Sequence, residues 1–245
     1  MTIDKVEGII INEINYSESS KILNILTKEY GLIGVISKGC RKTKSSLRSV
    51  STKFIYGYFH IYYKKDGLST LIDVDLIDSF KNIRSDIDKI TYLSYITELV
   101  DQVSKQTEEN IFSLYVNSVK KIEEGMDPEI ITNILEIKLL DVLGIMPVID
   151  ACSLCGNTDD IVTIDVDSGG YVCKNCYTNE RIYSDKMFKL IRMFYYVDIE
   201  KITKLSISDS VKKELNEFID NYYDKYTGLY LKSKSFIKNL KKINN

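Results

Sequence analysis

Four of the five cysteines fall into two pairs, Cys152-x2-Cys155 and Cys173-x2-Cys176, with seventeen residues between the pairs. Few patterns restrict a fold more, because a CxxC turn aims two thiolates at one point and two such turns close a tetrahedron around a metal. The spacing matches the zinc pattern in which roughly 15–20 residues separate two CxxC pairs. Zinc takes four such sulfurs at about 2.3 Å. Gly156 suits the knuckle after the first pair, and Ser168-Gly169-Gly170 supplies a turn that brings the second pair back. Residues at about 150–182 are therefore expected to form a zinc finger holding one structural Zn2+ through Cys152, Cys155, Cys173 and Cys176. Four thiolates complete the coordination sphere and leave no position for an activated water. Cys40 lies outside the motif and is read as incidental.

Reduced thiolates fit a cytoplasmic chain. Met1 to Tyr16 has no basic flank followed by an apolar signal core, and the apolar runs fall far short of the roughly 20 residues that cross a bilayer. No membrane partner is expected.

The remaining residues offer little to catalysis. The single histidine, His60, is followed by Ile61 and Tyr62, so the H-x-E of a zinc deaminase is missing. It sits in a strand-like stretch and is read as strand packing. There is no GxxxxGK[ST] and no GxGxxG, which removes the usual sequence support for nucleotide hydrolysis or dinucleotide chemistry. The expectation is a protein that is not an enzyme, with no catalytic residues.

Hydrophobic pattern divides the chain at about residue 80. Before it, segments at 6–14, 21–27, 32–37, 51–63 and 69–77 are rich in Ile, Val, Tyr and Phe, with hairpin signals at Tyr30-Gly31 and Lys65-Asp66-Gly67. In the fourth segment Phe54, Tyr56, Tyr58, His60 and Tyr62 share one face and Ile55, Gly57, Phe59, Ile61 and Tyr63 the other. Five short antiparallel strands suit a small closed barrel of the OB type, although the pattern also allows an SH3-like barrel.

After Phe80 the period becomes helical. Ser85 is a candidate cap for a helix carrying Ile87 to Val103. A second helix is expected from about Glu108 to Glu124, and a third follows Asp127-Pro128. The third is apolar nearly all round and belongs at the centre of a bundle. Helices resume near Ser184 and again from Ser208 to Tyr226. The fold class is thus α+β: an N-terminal five-stranded OB-fold barrel at 1–80, then a helical domain at 81–245 with the zinc finger inserted at about 150–182.

Charge is segregated along the chain despite a net charge of −2. Tyr30 to Lys65 holds eight basic residues and no acid, and Lys225 to Asn245 holds six lysines and no acid, whereas Asp66 to Asp224 holds sixteen basic and thirty acidic residues. The connector Lys38-Gly39-Cys40-Arg41-Lys42-Thr43-Lys44-Ser45-Ser46-Leu47-Arg48 joins the third and fourth strands. Its Lys38, Arg41, Lys42, Lys44 and Arg48 are the candidate DNA contacts, supplying salt-dependent affinity for phosphates without reading sequence. Aromatics of the adjacent fourth strand could stack on unpaired bases if exposed. The segment Tyr230 to Ile237 is either an amphipathic tail docked on the bundle or a second phosphate-binding strip.

Taken in order, V-E-G-I-I at 6–10, T-K-E-Y-G at 27–31, the basic connector at 38–48, L-E-I-K-L-L-D-V-L-G at 135–144, C-S-L-C-G at 152–156, S-G-G-Y-V-C-K-N-C at 168–176 and L-K-S-K-S-F at 231–236 resemble the RecO family of recombination mediators. The resemblance spans nearly the whole chain. It implies an OB domain followed by a helical domain interrupted by a zinc finger. It also implies binding of single- and double-stranded DNA, annealing of complementary strands and, with RecR, help in loading RecA on DNA coated by single-strand-binding protein. Contact with the C-terminal tail of single-strand-binding protein, through the helical domain, and a bacterial, nucleoid-associated location during repair follow from the same resemblance. The acidic middle of the chain argues against an extended DNA path over the helices. An alternative from another class is a zinc-containing adaptor in transcription or RNA processing; a zinc hydrolase would need a non-cysteine ligand.

Overall fold

A computed structural model of the protein describes residues 2–237. Two compact units divide the chain, Met1–Glu123 and Glu124–Asn245. The first opens with five strands, β1 (Asp4–Tyr16), β2 (Ser20–Thr27), β3 (Gly31–Ser37), β4 (Tyr56–Tyr62) and β5 (Ser69–Asp78), which close into a barrel in the order β1-β2-β3-β5-β4. β3 and β5 meet in parallel at Val35–Ser69 and Ile36–Thr70, and the other neighbours run antiparallel. This closed order is the OB type, not the SH3-like alternative.

Side-chain alternation sends Val6, Leu23, Ile25, Val35, Phe59 and Ile61 into the barrel core, where all are buried. β1 contains a bulge: Ile10 faces Ile25 and Asn12 faces Asn24, so Ile11 is one extra residue. At the β2–β3 hairpin Gly31 takes φ +63°, and the Thr27 hydroxyl donates to the Gly31 carbonyl at 2.8 Å while accepting the Tyr30 N–H at 3.0 Å.

Three expectations for this unit are corrected. β4 starts at Tyr56, not Ser51, because the preceding residues turn through a 3-10 segment, Ser46–Arg48, and a left-handed Phe54 at φ +71°. The helix α2 (Ile87–Val103) is capped by Asp86, not Ser85. The Asp86 carboxylate accepts the N–H groups of Asp88 at 3.0 Å and Lys89 at 3.1 Å. Ser85 instead closes a short preceding helix, α1 (Lys81–Arg84), its hydroxyl donating to the Lys81 carbonyl at 3.0 Å.

The helix α3 (Phe112–Glu123) starts later than Glu108 because Asn110 serves the barrel. Its amide donates to the Thr27 and Lys28 carbonyls at 3.1 and 2.8 Å, while its side-chain oxygen caps the Phe112 N–H at 3.0 Å. The helices α1–α3 therefore belong to the same compact unit as the strands.

The second unit is built on α4 (Pro128–Val142), which packs with α5 (Asp185–Tyr196) and α6 (Asp209–Tyr226). Asp127 caps α4 by accepting from the Glu129 N–H at 2.9 Å, with Pro128 at the first turn where no N–H is needed. Its apolar surface is buried on nearly every side, and Asn133 and Glu136 are buried with it. The Asn133 amide donates to Asn216 at 2.9 Å, and the Tyr223 hydroxyl to the Glu136 carbonyl at 2.8 Å. Between α4 and α5 lies a three-stranded sheet of β6 (Val148–Cys152), β7 (Ile161–Asp165) and β8 (Gly170–Cys173), in the order β6-β8-β7.

After α6, Lys234 docks between two carboxylates, 3.0 Å from Asp220 and 3.5 Å from Asp224. This favours the docked reading of the tail. The expected lysines at 238, 241 and 242 lie outside the described residues. No helix among the described residues is long and apolar enough to cross a membrane.

Candidate nucleic-acid interface and metal centre

The basic connector is pinned at both ends and presents its cations outward. Cys40 is buried, and the Gly39 N–H donates to the Ser20 hydroxyl at 3.2 Å. Successive turns follow, Lys42 N–H to the Gly39 carbonyl at 3.1 Å and Ser45 N–H to the Lys42 carbonyl at 3.1 Å. Leu47 and Val50 then pack on the barrel core, and the Ser51 hydroxyl is buried against that of Ser37 at 2.8 Å. Between these anchors Lys38, Arg41, Lys42, Lys44 and Arg48 are all exposed. None of the five pairs with a carboxylate among the described residues. Arg41 joins the connector to the β1–β2 hairpin: its N–H donates to the Ser19 carbonyl at 2.9 Å and its guanidinium to the Ser17 carbonyl at 3.2 Å.

The β4 aromatics, expected as stacking candidates if exposed, are only partly available. Tyr56 is buried under Phe80, with ring centroids 6.2 Å apart, and the Lys120 ammonium lies 5.0 Å from its ring. Burial and a hydrogen bond to Glu7 push its hydroxyl far above the usual range. Tyr58 is exposed, but Lys5 lies 4.7 Å over its ring. Across the strands His60 and Lys5 both hold Asp75, at 3.0 and 2.8 Å. His60 is therefore part of a cross-strand polar pair on the barrel surface.

The second site forms where two sheet strands end. β6 finishes at Cys152 and β8 at Cys173, and each strand runs straight into a CxxC turn. β6 and β8 approach so closely at Gly170 that a Cβ there would fall 2.4 Å from the Val148 carbonyl oxygen, which accounts for the glycine. In the first knuckle the Gly156 N–H returns to the Cys152 carbonyl at 2.9 Å, with Gly156 at φ +76°. In the second, the Cys176 and Tyr177 N–H groups return to the Cys173 carbonyl at 3.0 and 2.9 Å.

The four Sγ atoms of Cys152, Cys155, Cys173 and Cys176 lie within 4.8 Å of one another, and Cys155 and Cys173 approach to 3.6 Å. A tetrahedron of sulfurs at about 2.3 Å from a central ion has edges of about 3.8 Å, so the donor set fits a metal ion. Cys152 and Cys173 are buried, Cys155 is exposed and Cys176 lies between. Burial raises the Cys152 thiol, but N–H groups of Cys173, Leu154 and Cys155 outweigh it and bring it down to about 6. Hydrogen bonding with Cys155, then burial, pushes Cys176 up to about 12. Without a cation, the cluster accommodates the first negative charge easily and the last with difficulty.

A groove of about 400 Å³ in the second unit runs between α5 and residues 205–211. Leu190, Met193, Leu205 and Ile207 form its apolar wall, and the exposed Lys186 and Lys189 stand on its rim. Sequence reasoning missed it, since residues 204–207 carry no helical or strand period that would have flagged them.

Comparison with known proteins finds matches over nearly the whole chain. Residues 1–80 match the family model described as Recombination protein O N terminal, and residues 84–235 match Recombination protein O C terminal. The DNA repair protein RecO of Listeria monocytogenes serotype 4a is 36% identical over 247 residues, covering 99% of this chain and 96% of its own. The RecO proteins of Halalkalibacterium halodurans and Bacillus pumilus are 36% and 35% identical, each over 96% of this chain and 94% of their own. The chain belongs to the RecO family of DNA repair proteins.

Proposed function

We propose that this protein acts without a catalytic residue, as a recombination mediator that binds single- and double-stranded DNA and anneals complementary strands. With RecR it would help to load RecA on DNA coated by single-strand-binding protein. The observation that carries this reading is the ordered connector, whose five cations Lys38, Arg41, Lys42, Lys44 and Arg48 face outward without a carboxylate partner among the described residues. Such an array neutralises phosphates whatever the sequence and releases their counterions. We take residues 1–80 as the DNA-binding domain and 81–245 as the helical domain, acting in the bacterial cytoplasm at the nucleoid.

The cysteine centre is proposed to hold one structural Zn2+. A soft, all-thiolate set favours zinc over oxygen-seeking cations, and four protein ligands leave it no open position. For the acidic C-terminal tail of single-strand-binding protein, the groove lined by Lys186 and Lys189 is the site we propose, since an acidic peptide would meet two cations there.

The test is annealing of complementary oligonucleotides precoated with single-strand-binding protein, at two salt concentrations, with the wild type and Lys42→Ala/Lys44→Ala. The expected result is salt-sensitive annealing that the double variant loses. Absence of annealing by the wild type would favour a zinc-containing adaptor in transcription or RNA processing.

A further inference from the structure

The register of the barrel divides its outer surface into faces of different character. Leu23, Ile25 and Val35 point inward, so Ser20, Ile22 and Asn24 on β2 and Gly34 and Ile36 on β3 point outward. Pairing then extends these rows across the sheet: Ile14–Ile22–Ile36–Thr70 is one, and Tyr16–Ser20 is the next. At the other end of this face Ile9 and Leu26, also outward in register, are completely buried, and α2 packs on β1. One face is thus covered at one end and open at the other.

The open end is apolar and exposed. Ile14 is 54% and Tyr16 48% exposed, and Ile22 and Ile36 are partly so. The Tyr16 side chain has no hydrogen bond and no ring contact among the described residues. Glu13 and Lys21 point the other way and pair with each other at 3.0 Å, so they bring no charge to this face. Its rim is the connector: Lys38 follows directly after β3, and Arg41 is hydrogen-bonded into the hairpin that carries Tyr16. The hairpin tip holds a single acid, Glu18. The β1–β4–β5 face around Tyr58 differs, since Lys5 lies over the Tyr58 ring and is tied to Asp75, which leaves that ring covered, and Asp73 stands beside it.

We propose that this open end, Ile14, Tyr16, Ile22 and Ile36 beside Lys38 and Arg41, is a platform for the unpaired bases of a single nucleic-acid strand, with Tyr16 as the stacking ring. The apolar row takes base faces while the connector takes phosphates, a combination that serves single strands. A duplex keeps its base faces stacked inside and engages only the connector. The proposal rests on the DNA-binding reading above and assigns the discrimination between single and double strands to residues outside the connector.

The test is binding of fluorescein-labelled oligo-dT and of a labelled duplex of equal length to the full chain and to Tyr16→Ala, Tyr16→Phe and Ile14→Ser. Tyr16→Ala should weaken oligo-dT binding roughly ten- to hundredfold, leave duplex binding within twofold, and be rescued by Tyr16→Phe. Ile14→Ser should weaken oligo-dT selectively but less. Photocrosslinking of bromodeoxyuridine-substituted oligo-dT to the peptide containing Tyr16 reports the same contact without any substitution. Wild-type binding of oligo-dT with no effect of Tyr16→Ala and no crosslink at Tyr16 overturns the platform alone. Equal losses on oligo-dT and duplex also overturn it, whereas a wild type that binds neither overturns the DNA-binding reading as well.

Discussion

The cysteine centre and the barrel surface both form where strands give way to loops, but different constraints position their side chains. At the centre, four sulfurs lie within 4.8 Å of one another, as a set able to hold one ion must, so their separation along the chain is limited by two short turns. On the barrel no residue has to touch another functional residue. What matters there is which face each strand turns outward and whether a helix lies on it. Chemistry that requires a fixed mutual distance leaves a spacing in the sequence, whereas chemistry on a surface depends on what the rest of the chain covers.

The largest effect that would break this contrast is at the metal. Cys173→Ser should abolish stoichiometric zinc and lower Tm by roughly 10 °C or more, because ion binding and folding are coupled. Metal content and a thermal melt measure it. Full metal occupancy in the variant would discredit the four-cysteine set. Loading should also follow pH in a set direction: Cys176, held up to about 12 in the metal-free cluster, keeps its proton at neutral pH and must release it to bind the ion. Metal affinity should therefore rise with pH, as competition against a chelating dye between pH 6 and 8 would report.

On the barrel, Lys42→Ala with Lys44→Ala should lower the slope of log affinity against log salt by about 1.4 for single strands, or about 0.7 per lost phosphate contact, without altering Tm. An unchanged slope would remove the connector from the DNA site. Asp86→Ala should cost about 1 kcal/mol through loss of the α2 cap, read by denaturant unfolding. Ser85→Ala should cost less, and the reverse order would restore the sequence-based cap. The smallest expected effect is Tyr58→Ala, which should leave oligo-dT affinity within about twofold. A loss as large as that expected for Tyr16→Ala would erase the distinction between the two barrel faces.

Much of the architecture was legible because local rules sufficed. Asp127-Pro128 announced α4, Tyr30-Gly31 the β2–β3 hairpin, and the two CxxC pairs the sulfur cluster. The failures were competitions decided by distant contacts. Ser85 and Asp86 both had capping chemistry, and the existence of α1 gave Ser85 another task. Asn110 was drawn to the β2–β3 hairpin, which delayed α3. Tyr56 looked available for stacking until Phe80 and Lys120 covered it, while Tyr16 drew no notice because nothing in its own neighbourhood says that its face stays open.

Ile11 acts as a change of frame in β1. Along an uninterrupted strand the outward position of Ile9 would pass to Ile11, Glu13 and Asn15, and the exposed end of the barrel would carry a carboxylate. One inserted residue shifts the parity, so Asn12, Ile14 and Tyr16 face outward and Glu13 turns away to meet Lys21. Deleting Ile11 would remove the bulge and leave Asn12, Ile14 and Tyr16 facing outward, whereas keeping Ile11 in a strand without the bulge would turn Glu13 outward and exchange an apolar surface for an acidic one. In a strand, the character of a surface can thus be set by counting as much as by chemistry.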